Sequence, residues 1–372
     1  MLTYIWKSKN WPTFTYDANT VLTPLGQCRK LQGQLLQQLA TLDENYSLEA
    51  EATLLEAEAL RTSEIEGVQL NPQSVRSSVA RKLGLDDAGV GHVGQYEENL
   101  VDILLNATTH KESPLTTDQL FSWHAALFPT GYSGRHKIQI GEWRSDEEGA
   151  MQVISGRPGR QIIHYEAPPA KALEEEIAQF LEWFNSDEAS DGIIRAAIAH
   201  FWFVTIHPFD DGNGRLARII TDMAMAQDEK TSRRAYSLSA QIAGNRKAYY
   251  QILEKTQKGD GDITEWLLWF VDSLKQAILK SKELIKTTLA KADFWKTHST
   301  TPINERQRKV LNRLLDAGFD GFEGGLTNKK YTSITKAAYA TATRDLADLV
   351  EKKMLVKTAA GRSTKYAIKW GN

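Results

Sequence analysis

Residues 193–218 constrain this chain more tightly than any other stretch. An apolar helical run ends at Ile206. It breaks at His207-Pro208-Phe209-Asp210-Asp211-Gly212-Asn213-Gly214, and an amphipathic helical pattern begins at about Arg215. A helix–loop–helix of this composition reads as an anion site. Gly212 and Gly214 let the backbone come close to a ligand. Free N–H groups at the start of the second helix point into the turn, where the helix dipole favours negative charge. Arg215 and Arg218 stand three apart, share one helix face and can form a two-armed phosphate clamp. Asn213 can donate to a phosphate oxygen. Asp211 offers a hard oxygen ligand for Mg²⁺, which suits a nucleoside triphosphate. His207 is the only nearby group that titrates close to pH 7, so it is the candidate general base. The ordinary alternative is a buried His-Pro turn before a surface helix with two solvated arginines. That would serve for any one of these residues. It fits poorly when all fall within twelve positions.

The rest of the chain sets the frame. At 372 residues it is long enough for two or three domains. With 41% hydrophobic and 25% charged residues it can build a real core. A formal charge of −2 argues against a basic skin for nucleic acid or membrane, though not against a local basic patch. The single cysteine, Cys28, excludes an internal disulfide framework. No run approaches the length of a membrane span, and Met1–Lys7 lack a secretory pattern, so a soluble cytoplasmic protein is expected.

The periodicity predicts a mainly α fold. Residues 1 to about 25 read as a strand or extended arm that packs Trp6, Trp11 and Phe14 on something else, with helical pattern from Leu25 onward. Further helices are expected over Leu48–Ile65 (stopped by Gly67), Pro72–Lys82, Tyr96–Thr108, Thr117–Phe128, Ala170–Asn185, Ile193–Ile206, Arg215–Gln227, Tyr249–Thr256 and from Ile263 towards Trp295. One interior hairpin is expected, from Met151–Ile154 and Gln161–Tyr165 around a Gly/Pro-rich turn. Thr297–Pro302 reads as a linker. Beyond it, three helices and a hairpin give the outline of a winged helix-turn-helix.

The stretch at 207–218 resembles the signature of the Fic family, H-P-F-x-[DE]-G-N-G-R-x-x-R, and matches it at every fixed position. The resemblance implies a helical Fic core that transfers AMP from ATP to a Ser, Thr or Tyr hydroxyl of a target protein, or of the chain itself. It implies that His207 deprotonates that hydroxyl and that Asp211 holds Mg²⁺. Phosphates would be bound by Gly212, Asn213, Gly214, Arg215, Leu216, Ala217 and Arg218. The hairpin corresponds in position to the family's flap, with Val153, Ile154, Ile162 and Ile163 available to hold an extended target segment. Tyr250 and Gln257 fall where such proteins build the nucleoside pocket; core tyrosines at helical spacing are the alternative. Upstream, Thr62-Ser63-Glu64-Ile65-Glu66-Gly67 resembles the family's inhibitory-helix motif. Glu66 is then expected to pair with Arg218 and misalign ATP, and removal of AMP is a second activity this arrangement can support.

These readings divide the chain into an accessory region with the inhibitory helix (1–95), a Fic domain (96–296) and a winged helix-turn-helix (302–372). Residues 329–369 carry ten basic and three acidic side chains, a net of +7. DNA contact through Ala340–Arg344, Arg362 and Lys365 is one reading of this tail, and a protein-binding or homodimerising module is the other. A DNA-binding regulator whose core only senses nucleotide is the competing function. Gly89-Val90-Gly91-His92-Val93-Gly94 has glycine spacing like that of a dinucleotide fingerprint but follows a helix and no strand, so it reads as a connection.

Overall fold

The computed structural model describes residues 4–85, 93–147, 149–157, 159–186, 191–359 and 364–370. The chain forms two compact units: residues 1–42 with 51–281, and residues 43–50 with 282–372. Its helices in chain order are α1 (Ala18–Ala40), α2 (Glu44–Ile65), α3 (Pro72–Leu83), α4 (Gln95–Thr109), α5 (Thr117–Leu127), α6 (Leu173–Asn185), α7 (Gly192–Ile206) and α8 (Asn213–Glu229). They continue as α9 (Leu238–Gly244), α10 (Arg246–Gln257), α11 (Thr264–Thr297), α12 (Glu305–Asp316), α13 (Asn328–Thr335) and α14 (Tyr339–Glu351). Three antiparallel hairpins complete the described chain: β1 (Tyr132–Ser133) with β2 (His136–Lys137), β3 (Gln152–Arg157) with β4 (Arg160–Glu166), and β5 (Leu355–Ala359) with β6 (Lys365–Ile368). The fold is mainly helical, as expected. None of its described helices is long and apolar enough to cross a membrane.

The first unit is built around α7 and α8. A helix that is apolar all round must be buried, and α7 buries Ile193, Ile194, Phe201, Trp202, Phe203 and Ile206 among others. Asp191 starts it, its carboxylate accepting from the Ile193 and Ile194 amides at 2.9 and 3.4 Å. Phe180 of α6 packs on Trp202 and Phe203, with ring centroids 5.6 and 5.7 Å away. Trp266 of α11 donates from Nε1 to the Ala197 carbonyl at 2.9 Å.

The N-terminal expectation needs correcting. Helix α1 begins at Ala18 rather than Leu25 and carries Pro24 within it. Asp17 nucleates it, accepting from the Asn19 amide at 3.0 Å. The segment before it is not a strand: Ile5–Lys7 form one turn of 3-10 helix. Its rings do pack elsewhere. Trp11 and Phe14 meet Trp202 edge-on at 6.3 and 5.7 Å, and Trp6 Nε1 donates to the Glu166 carbonyl at 2.8 Å. Residues 4–42 and 51–85 therefore share a compact unit with the region from 96 to 281, so residue 95 is no boundary between bodies. The division further on falls within α11 rather than at Thr297–Pro302. The short α9 and the β1–β2 hairpin carry too little periodicity to be read from sequence.

In the second unit, α12, α13, α14 and the β5–β6 hairpin follow in the expected order around Val310, Leu311, Leu314, Leu326, Tyr331, Leu346, Leu349 and Ile368. Asp345 is the buried polar node of this core. It accepts from Tyr331 Oη at 2.8 Å, Arg306 Nε at 3.0 Å and Asn304 Nδ2 at 3.2 Å.

Truncating the fully buried Phe180 to Ala is expected to cost about 3–5 kcal/mol. Leu22→Ala, at a 67%-exposed position, should stay within about 0.5 kcal/mol. Urea unfolding with hydrogen exchange at the α7 amides measures both. Equal losses would contradict the burial argument.

Candidate active site

The α7–α8 connection is shaped by backbone needs first. His207 ends α7 in the left-handed region, φ 52° and ψ 58°, a conformation that costs a non-glycine residue energy and clusters at functional sites. Its amide still donates to Phe203 O at 3.1 Å, and Pro208 prevents the helix from continuing. Gly212 opens α8 at φ 86°. A Cβ there would lie 2.9 Å from the Phe128 ring, so glycine is required twice over. The first α8 backbone bond runs from Leu216 N to Gly212 O at 2.9 Å, which leaves the amides of residues 213–215 without helical partners.

Two expectations about this loop change. Asn213 is 2% exposed, and its amide is committed to the loop itself. Oδ1 accepts from Phe209 N at 3.0 Å and Nδ2 donates to Phe209 O at 2.7 Å. It braces the loop rather than offering a donor to phosphate. Leu216 and Ala217 are fully buried core residues and present no side chain to a ligand.

The arginines are where the sequence places them. Arg218 is 2% exposed, and its Nη2 meets Glu66 Oε1 at 2.7 Å. Its Nε and Nη2 also donate to Thr62 Oγ1 and Thr62 O at 2.8 and 2.9 Å. Burial is the largest influence and opposes its charge, but Glu66, with Tyr249 and Tyr250 adding to it, outweighs burial and holds the guanidinium above its usual value. Arg215, 3% exposed, lies over the Phe128 ring at 4.6 Å and donates to Tyr96 Oη at 2.9 Å. Arg218 Nη1 and Arg215 Nε are buried donors with no hydrogen-bond partner among the described residues.

Glu66 is held by the way α2 ends. Val68 N donates to Ser63 O at 3.0 Å and Gly67 N to Glu64 O at 2.9 Å, with Gly67 at φ 81°. This is a Schellman closure with Glu66 as the last residue before the left-handed glycine. A carboxylate at a helix C-terminus is disfavoured by the dipole, and the Arg218 pair offsets that. The approach is close: a Cβ on Gly214 would stand 2.4 Å from Glu66 Oε1.

Sequence reasoning missed Arg144. Its Nε donates to His207 O at 2.8 Å, its Nη2 to Pro168 O at 2.6 Å, and its own amide to Pro208 O at 3.0 Å. It fixes the strained His207 backbone from a position far upstream, where no local pattern signals it. His124 is fully buried and also holds the loop: its Nε2 lies 3.1 Å from Asp211 O, and its Nδ1 accepts from Gly141 N. Asp211 is the exposed oxygen donor of the loop, its side chain 40% accessible. Ser133 donates to its carboxylate, and Arg215 Nη2 lies 3.6 Å away.

The Fic/DOC family model matches residues 114–225, which contain the loop, both arginines and Arg144. This chain carries a Fic/DOC domain. A second family model, a domain of unknown function (DUF4172), matches residues 4–85, so Glu66 lies outside the Fic match and within the segment before it. The protein adenylyltransferase Fic of Drosophila virilis is 32% identical over 229 residues, 58% of this chain and 43% of that protein. A uridine 5′-monophosphate transferase of Xanthomonas campestris is 31% identical over 121 residues, 30% of this chain and 21% of its own length. The chain thus spans less than half of either relative. A Fic family protein from Desulfovibrio desulfuricans superposes with a TM-score of 0.55 at 16% identity, covering 96% of this chain and 98% of that one, a likeness of fold.

Around the Fic loop, Tyr250 reaches the inhibitory-motif segment, its Oη 3.3 Å from Ile65 O and 3.5 Å from Glu66 Oε2. Gln257 does not join it. It is buried and donates to Thr205 Oγ1 at 3.3 Å. The flap hairpin is tied to α7 by Tyr165 Oη, which donates to Thr205 O at 2.6 Å. Ile154, Ile162 and Ile163 are 47%, 60% and 45% exposed, while Val153 packs against the Tyr4–Tyr165 cluster.

Burial pushes the His207 imidazole down to about 4. Its Nδ1 lies 3.1 Å from Val204 O. That carbonyl can only accept, so Nδ1 carries the proton and Nε2 keeps a free lone pair. An NMR titration should find His207 neutral at pH 6 with a midpoint near 4. The unfolded group titrates near 6.5. Its stability contribution is therefore complete above pH 6.5 and declines as pH falls towards 4, by at most about 1.4 kcal/mol per unit. A midpoint at 6.5 would remove the buried-base assignment.

Proposed function

We propose that this chain is a protein adenylyltransferase that moves AMP from ATP to a hydroxyl side chain. The observation that carries the reading is a pair of buried guanidiniums with unpartnered donors beside three free helix-start amides and a neutral histidine. Such a constellation suits a polyphosphate. The amides of Asn213, Gly214 and Arg215 and the Arg215 and Arg218 side chains would hold phosphates by charge and direct hydrogen bonds. Among the described residues no cluster of three or more His, Cys, Asp or Glu side chains could cage a metal. A lone exposed Asp211 carboxylate fits Mg²⁺, which usually binds through one or two carboxylates plus substrate phosphates. Mg²⁺ would neutralise phosphate charge as pyrophosphate departs. His207 Nε2 accepts the target hydroxyl's proton, and Arg144 keeps that ring in place. The exposed isoleucines and strand edges of the flap suit an extended target segment. The chemistry is positioning plus charge stabilisation.

The same reading makes Glu66 an inhibitor. It occupies Arg218, so a γ-phosphate meets a carboxylate where it needs a cation. Glu66→Gly is expected to raise AMP incorporation from labelled ATP at least tenfold, and Arg218→Ala in that background to return it to the starting level. Competition with UTP, GTP and CTP in the same assay tests the nucleotide preference, since one relative is named for UMP transfer. No protein-bound nucleotide from any triphosphate would overturn the reading.

A second reading rests on the C-terminal unit, whose element order is that of a winged helix. Tyr339 is 66% exposed at the start of α14, with Ala340, Thr343 and Arg344 exposed beside it. The nearby acids are engaged: Asp345 with Arg306, and Asp348 with Lys352 at 2.6 Å. Small and basic residues at a helix start suit entry into a DNA groove. Lys357 and Lys365 on the hairpin would flank it; Arg362 lies outside the described residues. Binding of mixed-sequence duplex DNA should weaken steeply with salt, and Arg344→Ala should lower affinity. Absence of binding at low salt would exclude DNA as the partner.

A further inference from the structure

Away from the loop, the flap carries three groups in line. Ser155 Oγ on β3 lies 2.6 Å from His164 Nε2 on β4, and His164 Nδ1 lies 2.7 Å from Glu254 Oε2 on α10. Backbone register explains the meeting. Val153 pairs with Tyr165 and Ile154 with Ile163, so His164 is the extra residue of a β-bulge and faces no strand partner. Bulges of this kind re-aim a side chain and recur beside active sites. Here the imidazole is turned between Ser155 and α10.

The proton arrangement follows from the partners. Lys258 donates to the other oxygen of Glu254. Burial opposes the Glu254 charge, but the bonds from Lys258 and His164 outweigh it and hold this carboxylate below its usual range. An ionised carboxylate can only accept, so His164 carries its proton on Nδ1. Nε2 is then the acceptor facing the serine hydroxyl, a hydroxyl–imidazole–carboxylate relay. Ser155 is exposed, and the His164 and Glu254 side chains are each a third accessible. The relay is joined to the phosphate loop's surroundings through α10 and the hairpin. Glu254 is one helical turn beyond Tyr250, which touches Glu66. The hairpin is pinned to Thr205, two residues before His207.

We propose that Ser155 is a self-modification site: a hydroxyl with its own base, which takes AMP from ATP. The proposal rests on the adenylyltransferase reading. Ser155 Oγ bonds to the α-phosphorus as the bond from that phosphorus to the β-phosphate bridging oxygen breaks. Pyrophosphate leaves, and the hydroxyl proton passes to His164 Nε2, where Glu254 stabilises the imidazolium. The product is a phosphodiester on the flap, placed where an incoming target segment would lie, so modification would slow transfer to other proteins.

The test uses the full chain with Glu66→Gly, incubated with ATP and Mg²⁺, digested and mapped by tandem mass spectrometry. An adenylyl group is expected on Ser155. Ser155→Ala removes it, and Ser155→Thr, which keeps the hydroxyl, restores it. His164→Gln keeps a polar partner but cannot take the proton, and should slow Ser155 modification by roughly 100-fold or more while other modified residues keep their rate. Adenylyl groups on other residues with Ser155 bare would overturn the proposal alone. So would Ser155 modification at an unchanged rate in His164→Gln. If no residue of the chain gains an adenylyl group, this proposal falls, while the adenylyltransferase reading falls only if added proteins also take no nucleotide from any triphosphate.

Discussion

A guanidinium at 2% exposure needs a partner if it is to stay charged, and Arg218 has one in Glu66, from the far end of α2. Much of the unit's order follows from that demand. The Glu66 carboxylate is delivered by a Schellman turn that requires Gly67. It passes over Gly214, where a side chain would collide with it. Thr62, one turn back on α2, gives Arg218 two further bonds. Helix α2 is thus placed by the same residue that would bind a triphosphate. On the proposed reading, phosphate and Glu66 would compete for one cation, and inhibition would require no moving domain.

The rest of α2 is held as firmly. Glu58, 1% exposed, accepts from Ser237 Oγ at 2.7 Å and the Ser239 amide at 3.3 Å. It shares Arg234 with Asp222 of α8, at 3.7 and 2.8 Å. Two buried carboxylates around one guanidinium leave excess negative charge. Burial, with Glu58 adding to it, pushes Asp222 up to about 6 despite Arg234. Removing one member of such a cluster strands the others in a poor medium for charge. The segment from Glu58 to Glu66 is therefore tied to α8 at both of its ends.

How much was legible in the sequence depends on how local the cause is. The candidate loop residues His207, Asp211, Arg215 and Arg218 lie a few positions apart, so one twelve-residue pattern brings them all forward. Glu66 lies far upstream, yet Gly67 marked the helix end that places it, and resemblance supplied the partner. Arg144 gave no signal, because its task is to bond the His207 and Pro168 carbonyls, and backbone carbonyls carry no residue type. Asn213 misled for a similar reason. An amide beside a phosphate loop reads as a ligand donor, but Phe209 needed both of its groups. The helical pattern read from Leu25 onward missed the first turns of α1, which Asp17 starts and which contain Pro24.

Helix α10 links the Glu66 contact to the flap. Tyr250 and Glu254 are four apart, so they share a face. One meets Glu66 and Ile65, and the other meets His164 of the flap. A change at Glu66 can therefore be felt through a single helical turn at the strand that would hold a target. Nucleotide entry that displaces Glu66 would also free the Tyr250 hydroxyl from it. The flap, by contrast, keeps its own ties to α7 through Tyr165 and to α10 through His164. Only the second of these ties shares a helix with the Tyr250–Glu66 contact.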